Sequence, residues 1–157
     1  MEICKITQND RSRINAFITE HWFTTIMAVH GECIDLGTAD GLYMLENGEI
    51  TGLVTYRFVR SEMEILSLDS IYENRGIGSV LLNAAVHTAK ELRCTRIMLI
   101  TTNDNLNALR FYQKRGFDMV RFYRNALTEA RAVKPEIPLT GDNGIPLKHE
   151  IELEMIL

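Results

Sequence analysis

One junction constrains this chain more than any other. An apolar run from Ile65 to Ile71 passes through Tyr72-Glu73-Asn74-Arg75-Gly76-Ile77-Gly78-Ser79 and leads directly into an amphipathic segment. From Gly76 to Leu92 the apolar positions Ile77, Val80, Leu81, Ala84, Ala85, Ala89 and Leu92 keep the three-and-four spacing of a helix with one buried face. A strand that turns straight into a helix gathers the unpaired N–H groups of the first helical turn at one point. The positive end of the helix dipole adds to them, and the glycines let an anion's oxygens reach the main chain. Phosphate suits such a turn, with Arg75 and Ser79 as further contacts. Gly-x-Gly turns also serve only to reverse a chain, so the junction alone leaves both readings open. Two common phosphate motifs do not fit it. The form GxxxxGK[ST] needs a lysine that is not there, and GxGxxG needs a third glycine where Leu81 stands.

The flanking segments extend the pattern. Arg96 to Thr101, with Ile97, Met98, Leu99 and Ile100, reads as a central strand buried on both faces, so strand, helix and strand imply a crossover and a parallel pair. Upstream, Glu2 to Ile6 opens a sheet, and Asp10 caps a helix that buries Ile14, Phe17 and Ile18. The stretch from His21 to Leu36 suits a second helix through Trp22, Phe23, Ile26, Met27 and Val29, interrupted by Gly31 and Gly37 and partly loop. Leu42 to Leu45 and Ile50 to Val59 make a hairpin over Asn47-Gly48, and a strand follows at Met63 to Ile71. Downstream, Asn103, Asp104 and Asn105 offer caps for a helix through Lys114, with Gly116 at its left-handed end. Phe117 to Tyr123 and Glu150 to Leu157 read as closing strands. Between them Ala126 to Lys148 holds all three prolines and reads as a long loop with turns.

Composition narrows the function classes. A chain of 157 residues fits one domain, residues 1–157. No apolar run approaches the roughly 18 residues of a membrane span and the first residues carry no signal-peptide pattern, so a cytoplasmic protein without a membrane partner is expected. Cys4, Cys33 and Cys94 form no CxxC pair, and His21, His30, His87 and His149 show no HxxxH or HExxH spacing; reduced thiols and no metal are expected. The formal charge of −4, with both signs interleaved, argues against a nucleic-acid partner.

Two blocks together carry a resemblance. Glu73 to Gly78 is similar to the Q/RxxGxG/A pyrophosphate loop of the GNAT superfamily of N-acetyltransferases, which follows that family's fourth strand. Asn103-Asp104-Asn105-Leu106-Asn107-Ala108-Leu109-Arg110-Phe111-Tyr112-Gln113-Lys114-Arg115-Gly116-Phe117 resembles its Asn-x-x-Ala-x-x-Phe-Tyr-x-x-x-Gly-Phe segment, at the family's distance beyond the next strand. The blocks span about a third of the chain, and their joint spacing is far more specific than either alone. One position departs: Glu73 stands where the family has Gln or Arg. A carboxylate there would repel a pyrophosphate, so Glu73 is expected to face solvent while main-chain donors bind.

The resemblance implies an α+β fold: a mixed, mostly antiparallel sheet of about seven strands, helices on both faces, and a splayed parallel pair forming an acetyl-CoA cleft. It also implies direct transfer of an acetyl group from acetyl-CoA to a primary amine of a small molecule or peptide. Cofactor contacts would come from Leu68, Asp69 and Ser70 at the strand end, from Asn74, Arg75, Gly76, Ile77, Gly78 and Ser79 in the turn, and from Asn103, Asn107, Ala108, Phe111 and Tyr112. The Leu68 N–H is the natural oxyanion donor, and Tyr112 the acid for the departing thiolate, with Phe111 as the core residue of the Phe-Tyr pair. Glu64 is the candidate base, because it lies four residues before Leu68 and strand alternation puts both on one face; Glu62 and Asp69 are alternatives. Acceptor choice would fall to His21–Asp35 and Ala126–Lys148, with Trp22, Glu32 and Asp35 able to meet a cation. A homodimer through the closing strands or long loop is consistent with this pattern. The competing classes are a regulatory module that binds acetyl-CoA without transfer, and an interaction domain in which the glycine turn is structural.

Overall fold

The computed structural model describes residues 1–157. In chain order it contains β1 (Glu2–Lys5), α1 (Arg11–Trp22), β2 (Ile26–Val29), β3 (Glu32–Asp35), β4 (Asp40–Glu46), β5 (Glu49–Val59) and β6 (Glu62–Ser70). There follow α2 (Ile77–Glu91), β7 (Arg96–Thr102), α3 (Leu106–Gln113), β8 (Asp118–Tyr123), α4 (Ala126–Val133) and β9 (Glu150–Ile156). Seven strands form one sheet in the order β1-β4-β5-β6-β7-β9-β8, mostly antiparallel with β6 and β7 as its parallel pair, while β2 and β3 form a separate hairpin. The chain divides into two compact units, Met1–Met27 with Asp35–Ile97 and Leu157, and Ala28–Ile34 with Met98–Ile156. No helix is long and apolar enough to cross a membrane.

In the first unit the β4–β5 hairpin turns at Asn47 and Gly48, both at positive φ (52° and 84°), as an Asn-Gly turn requires. Gly52 on β5 makes room for α2. A Cβ there would lie 2.5 Å from Ile77 Cγ2 and 2.9 Å from Leu81 Cδ1, so the start of α2 sits directly on β5. Ile77, Leu81, Leu82, Ala85 and Ala89 supply the buried face of α2, as the spacing predicts. On the opposite face of the sheet, α1 buries Ile14, Phe17 and Ile18. Asp10 stands at its N-cap but spends its carboxylate on the N–H and hydroxyl of Thr7, at 2.8 and 2.6 Å.

The pairing of β5 with β6 contains a bulge. Thr55 faces Ser67 and Tyr56 faces Ile65, so Leu66 is an extra residue on β6. One inserted residue reverses the alternation beyond it. Glu64, Ser67 and Asp69, opposite Arg57, Thr55 and Leu53, therefore share one face, while Ile65 and Leu68, opposite Tyr56 and Val54, share the other. The premise that four residues' separation puts Glu64 and Leu68 on one face fails for this reason.

The helix expected within His21–Leu36 is replaced by the β2–β3 hairpin. His30 and Gly31 take φ of 50° and 73° and reverse the chain, and a turn of that kind joins strands. In the second unit, the segment expected as a loop after Ala126 opens with α4. Ala126, Leu127 and Ala130 form a small core with Leu147, and the Arg131 guanidinium donates to the carbonyls of Ile137, Pro138 and Leu147 at 3.1, 2.6 and 2.6 Å. A single side chain thus satisfies three carbonyls of a segment whose own backbone pairing is the single bridge between Thr140 and Pro146.

Candidate active site

The first group of site residues lies where β6 ends. Ser70 braces the exit, its hydroxyl donating to the Tyr72 carbonyl at 2.8 Å. Asn74 and Gly76 take positive φ (59° and 77°), which bends the chain onto the α2 axis. The helical ladder starts with the Val80 N–H donating to the Gly76 carbonyl at 3.0 Å, so the N–H groups of Ile77 and Gly78 precede the first helical bond. Gly76 is exposed, and nothing lies within 4 Å of where a Cβ would stand on it. The turn therefore combines an exposed glycine with a helix N-terminus whose first N–H groups lie ahead of the helical ladder. Glu73 is exposed, as its chemistry predicts.

Arg75 behaves differently from a free phosphate ligand. Its guanidinium makes a two-pronged pair with Glu46 on β4, at 2.9 and 3.0 Å, and lies over the Tyr72 ring at 4.8 Å from the centroid. The arginine thereby ties the turn to the neighbouring hairpin, a form of recognition in which planar fork and carboxylate match.

Beside the turn, β6 carries a polar row on the face reversed by the bulge. Glu64 is buried, and Arg57 Nε donates to its Oε2 at 2.6 Å. Thr55 and Ser67 hydroxyls bond at 2.7 Å, both buried. Asp69 accepts from the Trp22 indole N–H at 2.9 Å and is hydrogen-bonded by Ser67. Burial pushes the Asp69 carboxyl above its usual range, and the hydrogen bonds from Trp22 and Ser67 and the nearby His21 offset part of that rise. The Trp22–Asp69 contact joins residues 47 positions apart. No local pattern signals it, although Trp22 and Asp69 were each singled out in the sequence.

The second group is in the other unit. The Asn105 side chain accepts from the Ala108 N–H at 3.0 Å and so caps α3. Asn103 is spent on the segment before β9: its Oδ1 accepts from the Lys148 and His149 N–H groups, and its amide donates to the Pro146 carbonyl. Asp104 is buried and accepts from the Asp142 N–H at 2.8 Å. Asn107 is exposed and Ala108 half-buried. The Phe-Tyr pair is arranged opposite to expectation, because Tyr112 is the buried member and packs edge-on against Phe111 and Phe117 at 5.1 and 5.4 Å. Phe111 is half-buried beneath the Arg115 guanidinium, 3.6 Å from its ring centroid.

This unit also buries two carboxylates that sequence reading left inside a closing strand. Glu150 accepts from the His30 N–H with both oxygens at 3.1 Å, and Glu152 accepts from the Tyr123 hydroxyl at 3.2 Å. Burial raises the Glu150 carboxyl above its usual range. Charged residues at alternate strand positions, 150 and 152, are the one sequence sign of that polar face.

A glycine-containing strand-turn-helix junction followed one crossover later by the Asn-capped Phe-Tyr helix is the arrangement on which comparison with known proteins turns. The pattern defining the Acetyltransferase (GNAT) family matches residues 9–117. The chain belongs to the GNAT acetyltransferase family. An uncharacterized Bacillus subtilis protein, YxbD, is 43% identical over 154 residues, 98% of this chain and 97% of its own length. Among solved structures, an IAA acetyltransferase from Bacillus cereus is similar with a TM-score of 0.75 and 22% identity, covering 99% of each chain. A GNAT family acetyltransferase from Elizabethkingia anophelis with acetyl-CoA bound gives a TM-score of 0.70 at 20% identity, covering 99% of this chain and 97% of that one. The sheet order and the β6–β7 parallel pair are thus those of the GNAT fold.

Proposed function

We propose that residues 1–157 act as a single acetyl-CoA-dependent N-acetyltransferase domain, moving an acetyl group directly to a primary amine of a small molecule or peptide. The observation that carries this reading is the turn at Asn74–Ser79, where Gly76 is exposed with open space beside its Cα and the Ile77 and Gly78 N–H groups precede the first helical hydrogen bond of α2. A pyrophosphate there meets the Ile77 and Gly78 N–H groups and the helix dipole together. Leu68, Asp69 and Ser70 line the approach, and Asn107, Ala108 and Phe111 take the pantetheine arm. The family relationship and the relative with acetyl-CoA bound support the choice of cofactor.

The chemistry asks little beyond positioning. A neutral amine attacks the thioester carbonyl, the oxyanion is met by the Leu68 N–H, and the C–S bond breaks. Tyr112 gives its hydroxyl proton to the departing thiolate and regains one from solvent once coenzyme A has left; while the thioester is bound, its burial between Phe111 and Phe117 keeps water from competing for that bond. A carboxylate of the polar row of β6 takes the proton lost by the amine, with Glu64 held in its ion pair by Arg57. Cys33 carries an exposed free thiol, which suits a reducing compartment such as the cytoplasm.

Calorimetry with acetyl-CoA, followed by free-thiol release across a panel of small amines and peptides, tests the reading. Saturable binding with amine-dependent release is expected. Binding without release by any amine would make the chain a sensor of acetyl-CoA, and no binding would leave the glycine turn as structure alone.

A further inference from the structure

Asp69 stands in a setting no other acid of β6 shares, although the bulge at Leu66 puts Glu64 on the same face. Glu64 is tied to Arg57 at 2.6 Å, so its charge is spent on a neighbour. Glu62 likewise pairs with Arg96 at 2.9 Å. Asp69 has neutral donors on its carboxylate, the Trp22 indole and the Ser67 hydroxyl. Ser67 continues to Thr55 through a buried 2.7 Å hydroxyl pair. Asp69 is also half-buried rather than sealed, beside a tryptophan that keeps 42% of its surface exposed, so a solvent-borne amine can reach it. It stands one residue, about 3.4 Å of strand, beyond Leu68, whose N–H meets the oxyanion in the reading above.

We propose that Asp69 is the general base that takes the proton from the attacking amine, and that Trp22 is the positioning residue that aims its carboxylate. The assignment rests on the acetyltransferase reading. As the nitrogen lone pair forms the new C–N bond, the N–H bond breaks and its proton passes to Asp69, which later returns it to water. A base suits this task when it binds a proton more readily than an exposed aspartate does. Burial of Asp69 moves it in that direction, offset in part by Trp22, the neighbouring His21 and Ser67. The ion-paired Arg57 and Glu64 lie further along the same row of the sheet.

Trp22 is the sole tryptophan, so its fluorescence reports on Asp69 directly. The experiment titrates the emission of the wild-type protein and of Asp69→Asn with pH, and in parallel measures kcat/KM against pH for both and for Trp22→Phe. Expected is an emission change in the wild-type protein that Asp69→Asn lacks, with a midpoint shared by the acidic limb of kcat/KM. Asp69→Asn should turn over about 100-fold more slowly, in the range general-base removal gives, while calorimetry shows acetyl-CoA bound as tightly as before. Trp22→Phe should move the acidic limb to higher pH and recover its rate in alkali, which a merely structural loss would not do. Turnover of Asp69→Asn within about threefold of wild type overturns the base assignment alone. An emission curve unchanged in Asp69→Asn, or an unmoved limb in Trp22→Phe, overturns the role of Trp22. A wild-type protein that binds acetyl-CoA but acetylates no amine overturns the acetyltransferase reading and this assignment with it, whatever the emission curve shows.

Discussion

Gly52→Ala tests whether the floor of the sheet sets the position of the anion cradle. The new methyl would lie 2.5 Å from Ile77 Cγ2, 2.9 Å from Leu81 Cδ1 and 3.0 Å from the Asp69 carbonyl oxygen. Carbon atoms settle at about 3.5–4.0 Å, so the first turn of α2 must withdraw by about 1 Å or two fully buried side chains must leave their rotamers. Overpacking of this kind costs about 1–3 kcal/mol, and the strand preference for alanine over glycine returns about 0.5–1 kcal/mol. The net loss of about 1–2 kcal/mol corresponds to a fall in Tm of about 2–8 °C for a chain of this length. Ile77 is also the first residue of α2, so the same displacement carries the Ile77 and Gly78 N–H groups away from a bound pyrophosphate. A charge-assisted hydrogen bond contributes about 1.5–3 kcal/mol, so weakening one or two raises the acetyl-CoA Kd about tenfold to a hundredfold. Thermal melting and calorimetry read the two effects separately. Gly48→Ala is the control, because Gly48 has φ of 84° and open space around it and thus loses stability through backbone strain alone. An unchanged Kd in Gly52→Ala, or an equal change in both variants, would refute the idea that the β5–α2 contact aligns the donors.

Further outcomes follow from individual side chains. Tyr112→Phe should lower kcat about 100-fold with acetyl-CoA affinity unchanged, read by steady-state kinetics beside calorimetry. Glu64→Gln removes the charge of the Arg57–Glu64 pair; since that arginine is partly solvated, a loss of about 1–3 kcal/mol in chemical denaturation is expected, with the acidic limb of the rate profile retained. Glu150→Gln should raise Tm at pH 8 and leave it unchanged or lower at pH 4. Burial raises the folded Glu150 carboxyl above its unfolded value, so its unfavourable contribution is present at pH above both values and vanishes as pH falls below them, while Gln keeps an acceptor for His30.

Much of the framework was legible because it depends on local periodicity. Ile77 to Ala89 repeats at helical spacing, and α2 forms there; Asn47-Gly48 can be little other than a hairpin turn, and β4 and β5 meet across it. The cap on α3 was equally plain from its cluster of Asn and Asp, of which Asn105 does the capping. Two elements were misread where local signals conflict. Trp22 to Val29 has helical spacing, yet His30-Gly31 favours a tight reversal, and pairing with Glu32–Asp35 prevails. Ala126 to Val133 has good helix formers, but the prolines downstream suggested loop, and nothing in the sequence announces that Arg131 will tie Ile137, Pro138 and Leu147 together.

The site was legible in its main chain and less so in its side chains, and the bulge explains why. Main-chain donors at the start of α2 exist whatever the residues are, provided that glycine or asparagine allows positive φ, so the motif alone locates them. Which acid on β6 meets the substrate depends instead on the parity of the strand. Counting by twos from Leu68 selects Glu64, whereas one extra residue at Leu66 moves Glu64 to the face of Ser67 and Asp69, opposite Arg57. Leu68 and Asp69 are neighbours in the strand, so ordinary alternation puts Asp69 toward Trp22 on α1 and Leu68 on the other face. A single-residue irregularity thus separates Glu64 from the face of Leu68, the proposed oxyanion donor. Deleting Leu66 would join Ile65 directly to Ser67 and keep Glu64 opposite Arg57 and Asp69 opposite Leu53, so the Trp22–Asp69 hydrogen bond is expected to persist in that variant, and loss of the tryptophan's response to pH would refute this reading of the register.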